Sequence, residues 1–292
     1  MSHERPTSIS PLVEAMFGLD GGAMFGIIPE PLWSKTNPPD DNNRIDLATR
    51  CMLIQYEDRN VLVDVGIGTK WSDKERGIYK IGNQDPALAG ALADHDLTAA
   101  DIDDVIITHL HFDHAGGVSQ YNDNGEVVAT FPNATHWVQK RNWSWANSPS
   151  PRDTGSYRQE DFRFFEASDD TPPLELVDGI DEIMPGIEVL PLHGHTFGMQ
   201  AVKITTEHRT YVYLADLIPT TSHMGDPYVM GYDLQPLETV EEKREMLHRA
   251  ERNDWVLFFE HDPEQAFARV DGEEGKREAA PVDSGKLPAV SI

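Results

Sequence analysis

The stretch THLHFDHAGG, Thr108 to Gly117, places His109, His111, Asp113 and His114 within six positions and closes on a glycine pair. It directly follows VIITH (Val105–His109), a short apolar run that reads as a buried strand. A side chain just past the end of such a strand points into the crevice at the sheet edge. A metal ion needs neutral imidazole or carboxylate donors converging at about 2.0–2.2 Å, and this segment supplies three imidazoles and a carboxylate within one turn. Gly116 and Gly117 let the backbone bend away without a Cβ clash. One segment cannot close two four-coordinate sites, so partners are expected elsewhere, also behind strands.

Working outward, the flanks alternate strands with helices. CMLIQY (Cys51–Tyr56) and NVLVDVG (Asn60–Gly66) form β-branched runs about the turn EDRN, a hairpin pattern. Thr98, with Asp101 three residues on, caps a short acidic helix ahead of the VIITH strand. EVVATF, THWVQK, LELV, IEVLPL, MQAVKIT and RTYVYLAD continue the strand pattern. Leu237–Asn253 has helical spacing, with acidic residues early and basic ones late, and the strand WVLFF follows at once. Three further strand ends carry donors: His193 and His195 after IEVLPL, Asp216 in TYVYLAD, and His261 in WVLFFEH.

The chain of 292 residues is long enough for a sizeable core. No repeat or Gly/Pro/Ser-rich linker divides it, so residues 1–292 are expected to form one domain with a polar tail over about 271–292. Fifty acidic against 24 basic residues give a net charge of -26, which disfavours nucleic acid as a partner. No apolar run reaches the roughly 18 residues that span a bilayer, and no basic, apolar leader opens the sequence. The expectation is no membrane partner and a cytoplasmic location. The lone Cys51 has no internal disulfide partner.

The order His-x-His-x-Asp-His, Gly-His, Asp, late His resembles the metallo-β-lactamase superfamily over Arg44 to His261. LDGGAMFGIIPEPLW, FPNATHWVQK, LADLIPTTSHM, GYDLQPLET and FFEHDP look like its branch of quorum-quenching N-acyl homoserine lactone lactonases and methyl parathion hydrolases. That resemblance implies an α/β (α+β) fold, a four-layered αββα sandwich with two metals at the sheet edges. By motif, His109, His111 and His195 hold one divalent ion, Asp113, His114 and His261 hold the other, and Asp216 bridges them. Zinc is the expected metal, with Mn, Fe or Co also compatible with these donors. Two such ions acidify a shared water and polarise the oxygen it attacks, so the implied activity is hydrolysis of a small-molecule lactone or ester. Asp113 is placed by analogy to shuttle the proton, and Asp64 to orient a ligand histidine. His193 is taken as lying outside the ligand set. Relatives of this kind are often dimers, which extends the expectation to a homodimer.

Two positions depart from the pattern. Lactonases often carry Tyr three residues after the bridging Asp, where this chain has Pro219. Thr220, Thr221, His223 and Tyr232 are the nearby substitutes, and His223 is the expected catalytic donor because it can give a hydrogen bond or a proton. Met199 stands where many relatives have His. Phe25, Phe112, Phe197, Met199, Met224 and Met230 are candidates for an apolar substrate wall, and Trp143 and Trp145 for a helix packed over the sheet. A B1-type β-lactamase would need Cys at position 216, and a flavodiiron protein Glu at position 111. Phosphotriester, aryl ester and thioester hydrolysis remain open on the same site.

Overall fold

The computed structural model describes residues 5–82, 87–166 and 171–282. Its strands, in chain order, are β1 (Ser8–Asp20), β2 (Arg44–Gln55), β3 (Asn60–Val63), β4 (Asp104–Ile106), β5 (Ser119–Tyr121), β6 (Val127–Ala129), β7 (Thr135–Gln139) and β8 (Leu174–Val177). The second half adds β9 (Asp181–Met184), β10 (Ile187–Leu192), β11 (Met199–Thr205), β12 (Thr210–Tyr213), β13 (Val256–Phe258), β14 (Phe267–Asp271) and β15 (Glu278–Pro281). They form one sheet in the order β1-β2-β3-β4-β7-β8 and another in the order β15-β14-β13-β12-β11-β10-β9, with β5-β6 as a separate ribbon.

Side-chain alternation stacks these sheets. Met52, Ile54, Val61, Val63 and Ile106 join a core shared with the second sheet, whereas Cys51, Leu53, Leu62, Val105 and Ile107 face an outer core with Leu92, Phe162 and Ala146. Successive residues of a strand point to opposite faces, so the first sheet is buried on both. On the far side the helix Pro236–Arg252 turns Met246, Leu247 and Ala250 into the shared core. The result is the expected αββα layering.

The hairpin around EDRN forms as read, with Gln55 opposite Asn60. Thr98 and Asp101 make their reciprocal cap, but it opens a single 3-10 turn, Ala99–Asp101, rather than an α-helix. EVVATF yields only β6, in the small ribbon. Trp143 and Trp145 lie on the helix Lys140–Ala146 and pack against the outer core, as expected. Of the polar tail, Glu278–Pro281 is β15, paired with β14; residues 283–292 lie outside the described residues.

The cleft opens where β3, β4, β10, β12 and β13 end. Two residues at these ends adopt the left-handed backbone that non-glycine residues rarely visit, Asp64 (φ 53°) after β3 and Ala215 (φ 48°) just before Asp216. The glycine pair acts differently from the sequence reading. A Cβ on Gly116 would stand 2.2 Å from the Ile67 carbonyl oxygen, and one on Gly117 the same distance from that of Val65. These glycines permit close backbone approach of the 65–68 loop to the histidine turn.

Candidate metal centre

The histidine motif straddles the start of the short helix Phe112–Ala115, so its side chains fan into the cleft from one turn. The donors fall into two groups whose ligand atoms lie within 4.8 Å of one another: His109, His111, His195 and Asp216, and Asp113, His114 and His261. Asp216 spans both. Its Oδ2 is 3.1 Å from His195 Nε2 and 3.6 Å from His114 Nε2, while Oδ1 is 3.2 Å from His261 Nε2. Asp113 faces the second group, 3.9 Å from His114 Nε2 and 3.7 Å from His261 Nε2. All the residues that the sequence motif singles out as metal donors are thus brought to one place.

Each cleft-facing nitrogen has a tied back. His195 Nδ1 donates to Asp233 Oδ1 at 2.9 Å and His261 Nδ1 to the Ala48 carbonyl at 2.7 Å. His109 Nδ1 meets Thr108 Oγ1 at 3.1 Å. His114 Nδ1 donates to Asp64 Oδ2 at 3.0 Å, and Asp64 is itself held by the Thr108 amide and hydroxyl, both at 2.7 Å. Such bonds fix tautomer and ring orientation. His111 is the exception. Its Nδ1 lies 3.0 Å from His109 Nε2 and 3.1 Å from His195 Nε2, and its buried Nε2 has no hydrogen-bond partner among the described residues.

Nitrogens set face to face at these distances repel unless something electrophilic sits among them. Burial, followed by the neighbouring imidazoles, holds His109 and His111 well below the usual histidine range, in the neutral form that ligates. Burial also opposes charge on His195 and His261, but the Asp216 carboxylate outweighs it and lifts them to about 10 and about 9. Burial resists ionisation of Asp216 too, yet His195, His114 and His261 hold it well below the usual carboxylate range. At buried Asp216 Oδ1, His261 Nε2 stands 3.2 Å away, and no hydrogen bond of good geometry is completed there among the described residues. Unpartnered donors, neutral imidazoles and a bridging carboxylate fit divalent cations.

His111, Asp113, His195, Asp216 and His261 floor a cleft of about 280 Å³, with Leu19, Met24, Phe112, Met230, Tyr79 and Tyr232 among its walls and Arg152, Gly155 and Ser156 at one side. Tyr79, just past the helix Asp73–Ile78, and Arg152, Gly155 and Ser156 from the 149–156 segment thus reach it. Of the proposed apolar wall only Phe112 and Met230 line it. Phe25 stacks between Trp33 and His223, Phe197 packs on Trp145, and Met199 and Met224 are core.

His223 is the main correction. It is fully buried beneath the cleft, its Nε2 donating to the Met24 carbonyl at 2.9 Å and its Nδ1 accepting from Thr220 at 2.7 Å. Burial pushes it down to about 4. Both of its nitrogens are engaged and it is absent from the cleft lining, so it presents no free group there. Thr220 is spent on it, and Thr221 donates to Asp262 at 2.6 Å. Among the four substitutes only Tyr232 lines the cleft, joined by Tyr79; neither hydroxyl is hydrogen-bonded within the described residues. His193 lies aside, its Nδ1 accepting from the Gly198 amide at 3.1 Å.

Sequence reading missed Asp233, Tyr79, Arg152 and Glu260. Asp233 sits in GYDLQPLET, where only the resemblance marked the segment. Glu260 precedes His261 and carries no spacing signal of its own.

Residues 44–261 match the family model described as the metallo-beta-lactamase superfamily. The chain belongs to that superfamily and is a metal-dependent hydrolase in kind. A solved structure of a probable metal-dependent hydrolase from Staphylococcus aureus matches at 32% identity, covering 96% of this chain and 98% of that one with a TM-score of 0.85. An N-acyl homoserine lactonase of Bacillus cereus is 26% identical over 76% of this chain and 84% of its own. A dizinc quorum-quenching lactonase shares the fold, with a TM-score of 0.77 over 94% of both chains at 18% identity. Among the described residues no helix is long and apolar enough to cross a membrane.

Proposed function

We propose that this protein is a dinuclear hydrolase, a single domain working in the cytoplasm, that opens lactones of the N-acyl homoserine type or cleaves closely related esters. The observation that carries the reading is Asp216, set between two donor groups on the floor of a cleft with apolar walls. His109, His111 and His195 would hold one ion, Asp113, His114 and His261 the other, and Asp216 both. Zinc suits these nitrogen and oxygen donors. Bound there, two divalent ions supply Lewis acidity and acidify water.

The chain's own residues do the rest. Asp113 lines the cleft beside His114 and His261, and its carboxylate takes a proton and returns it to the leaving oxygen. Tyr79 and Tyr232 bring phenols over the same floor that make no hydrogen bond among the described residues. Burial raises both above the usual tyrosine range, keeping them protonated as hydrogen-bond donors. Leu19, Met24, Phe112 and Met230 exclude water and accept an acyl chain.

Pro219 favours a second reading on the same floor, aryl ester or phosphotriester hydrolysis. Its carbonyl accepts from the His261 amide at 3.0 Å, so the segment after Asp216 serves to seat a donor and offers no phenol. Elemental analysis together with turnover of a long-chain homoserine lactone, an aryl ester, a phosphotriester and a thioester tests both readings. Two ions per chain with preferred lactone turnover is the expected result. Two ions with another preferred substrate replaces the substrate and keeps the site; no bound metal sinks the proposal.

A further inference from the structure

His114 is gripped from behind by more than orientation requires. Its Nδ1 has one hydrogen to give, and Asp64 receives it while being fixed by Thr108. Yet Glu260 Oε2 lies 2.9 Å from the same nitrogen. Glu260 is completely buried, and the two donors beside its carboxyl group spend their hydrogens elsewhere, His114 Nδ1 on Asp64 and the Tyr213 hydroxyl on the Arg50 carbonyl, so among the described residues neither carboxyl oxygen has a hydrogen-bond donor of its own. Arg50 acts on this carboxylate only through space and makes no hydrogen bond to it. Arg50 Nη1 is directed to backbone carbonyls, 2.7 Å from Asp262 O and 2.9 Å from Phe259 O.

A buried carboxyl group without a donor works against a fold unless positive charge faces it. The end of β13 shows where that charge would come from. Glu260 backs the His114 imidazole whose Nε2 faces the cleft, and the next residue, His261, presents its own Nε2 3.3 Å from His114 Nε2. One strand end thus delivers a candidate ligand and the carboxylate behind its neighbour. We propose that Glu260 is a positioning residue that strengthens the hold of Asp113, His114 and His261 on their ion. Its presence favours the metal-loaded protein at the expense of the metal-free one. The inference rests on the reading of His114 as a metal ligand and goes beyond it. Outer carboxylates behind metal-bound histidines raise ligand basicity and govern affinity by about 10- to 100-fold.

The test compares wild type with Glu260→Gln and Glu260→Met, measuring zinc affinity by competition with a chromophoric chelator and the melting temperature of the metal-free protein. The expected result is that one of two zinc ions weakens by about 10- to 100-fold, the other holds, and the metal-free variants melt at the same or a higher temperature. A structural role would not produce this pairing of weaker binding with an undiminished metal-free fold. Unchanged affinity for both ions overturns the proposal, as does equal loss of both with a lower metal-free melting temperature, or failure of both variants to fold. Wild type that binds no zinc overturns the dinuclear reading itself, an outcome visible before any variant is made.

Discussion

His195 and His223 are both buried, both follow a strand of the second sheet, and both have each ring nitrogen in contact with a polar atom, yet they serve different ends. His195 turns Nε2 toward His111 and Asp216, groups that cannot satisfy it by themselves, and ties only Nδ1 to Asp233. His223 finds a donor in Thr220 and an acceptor in Met24, stacks on Phe25 with ring centroids 4.5 Å apart, and is finished. Burial and residue type do not separate a metal donor from a structural histidine. What separates them is whether the inward nitrogen is left facing other nitrogens and carboxylates.

The most damaging way to test that contrast is Asp216→Asn. Asn keeps the shape but removes the charge that both donor groups share, and metal content should fall from two ions per chain to one or none. Turnover should drop by at least about a hundredfold, more than an outer-shell change produces. Elemental analysis with steady-state kinetics checks this; two ions and full activity would refute the shared role.

Asp233→Asn sharpens the contrast on the His195 side. An Asn side chain can leave His195 Nδ1 facing an amide NH₂, so the ring loses the bond that fixes its tautomer. Affinity for one ion should weaken by about 10- to 100-fold, while the Asp113, His114 and His261 group keeps its own. Chelator competition reads the two ions separately. Equal weakening at both would mean that the groups are not independent.

A smaller effect is expected at the turn that carries the motif. Gly117 needs no positive φ, so Gly117→Ala tests only the approach of Val65, whose carbonyl oxygen would meet the new Cβ at 2.2 Å. Backbone atoms on both sides must shift, and a loss of about 2 kcal/mol in denaturant melts follows, the usual scale of overpacking.

The histidine turn was readable because its information is local: one segment of ten residues carries donors, strand end and glycines together. The strand alternation of Cys51–Tyr56 and Val61–Val65 was readable for the same reason, as period-2 patterning records burial on two faces. What escaped depends on pairing across the chain. β1 lies alongside β2 over Ser8–Asp20, although it includes Pro11 and the exposed Val13 and Met16 and has no clean alternation. Glu260 and Asp233 gain their roles only when His114 and His195 arrive from other strand ends. His223 was misplaced because its loop is pinned from outside. Buried Lys243, on the long helix, donates its three hydrogens to the carbonyls of His223 (3.1 Å), Gly225 (2.8 Å) and Tyr228 (2.9 Å), drawing a polar-looking segment into the core.

That misplacement gives the most delicate test, since it predicts an effect on stability and none on rate. His223 is held neutral with a folded pKa near 4, against about 6.5 when unfolded. Between these values the unfolded chain binds the extra proton, so stability contributed by the neutral ring is complete above about pH 6.5 and is lost as pH falls toward 4. The loss should reach about 2 kcal/mol by pH 5. His223→Phe keeps the stacking on Phe25 but cannot titrate. At pH 7 it should be less stable than wild type by about 1–2 kcal/mol, for the two hydrogen bonds forfeited. Lowering the pH to 5 should shrink or reverse that gap, because only wild type must resist protonation. Urea melts at the two pH values measure the gap, and turnover at pH 7 should stay within about twofold of wild type, as for a change remote from the reacting groups. A collapse of turnover with the stability gap independent of pH would return His223 to the cleft as its donor, and would make neutral, doubly bonded burial an unreliable mark of a structural histidine.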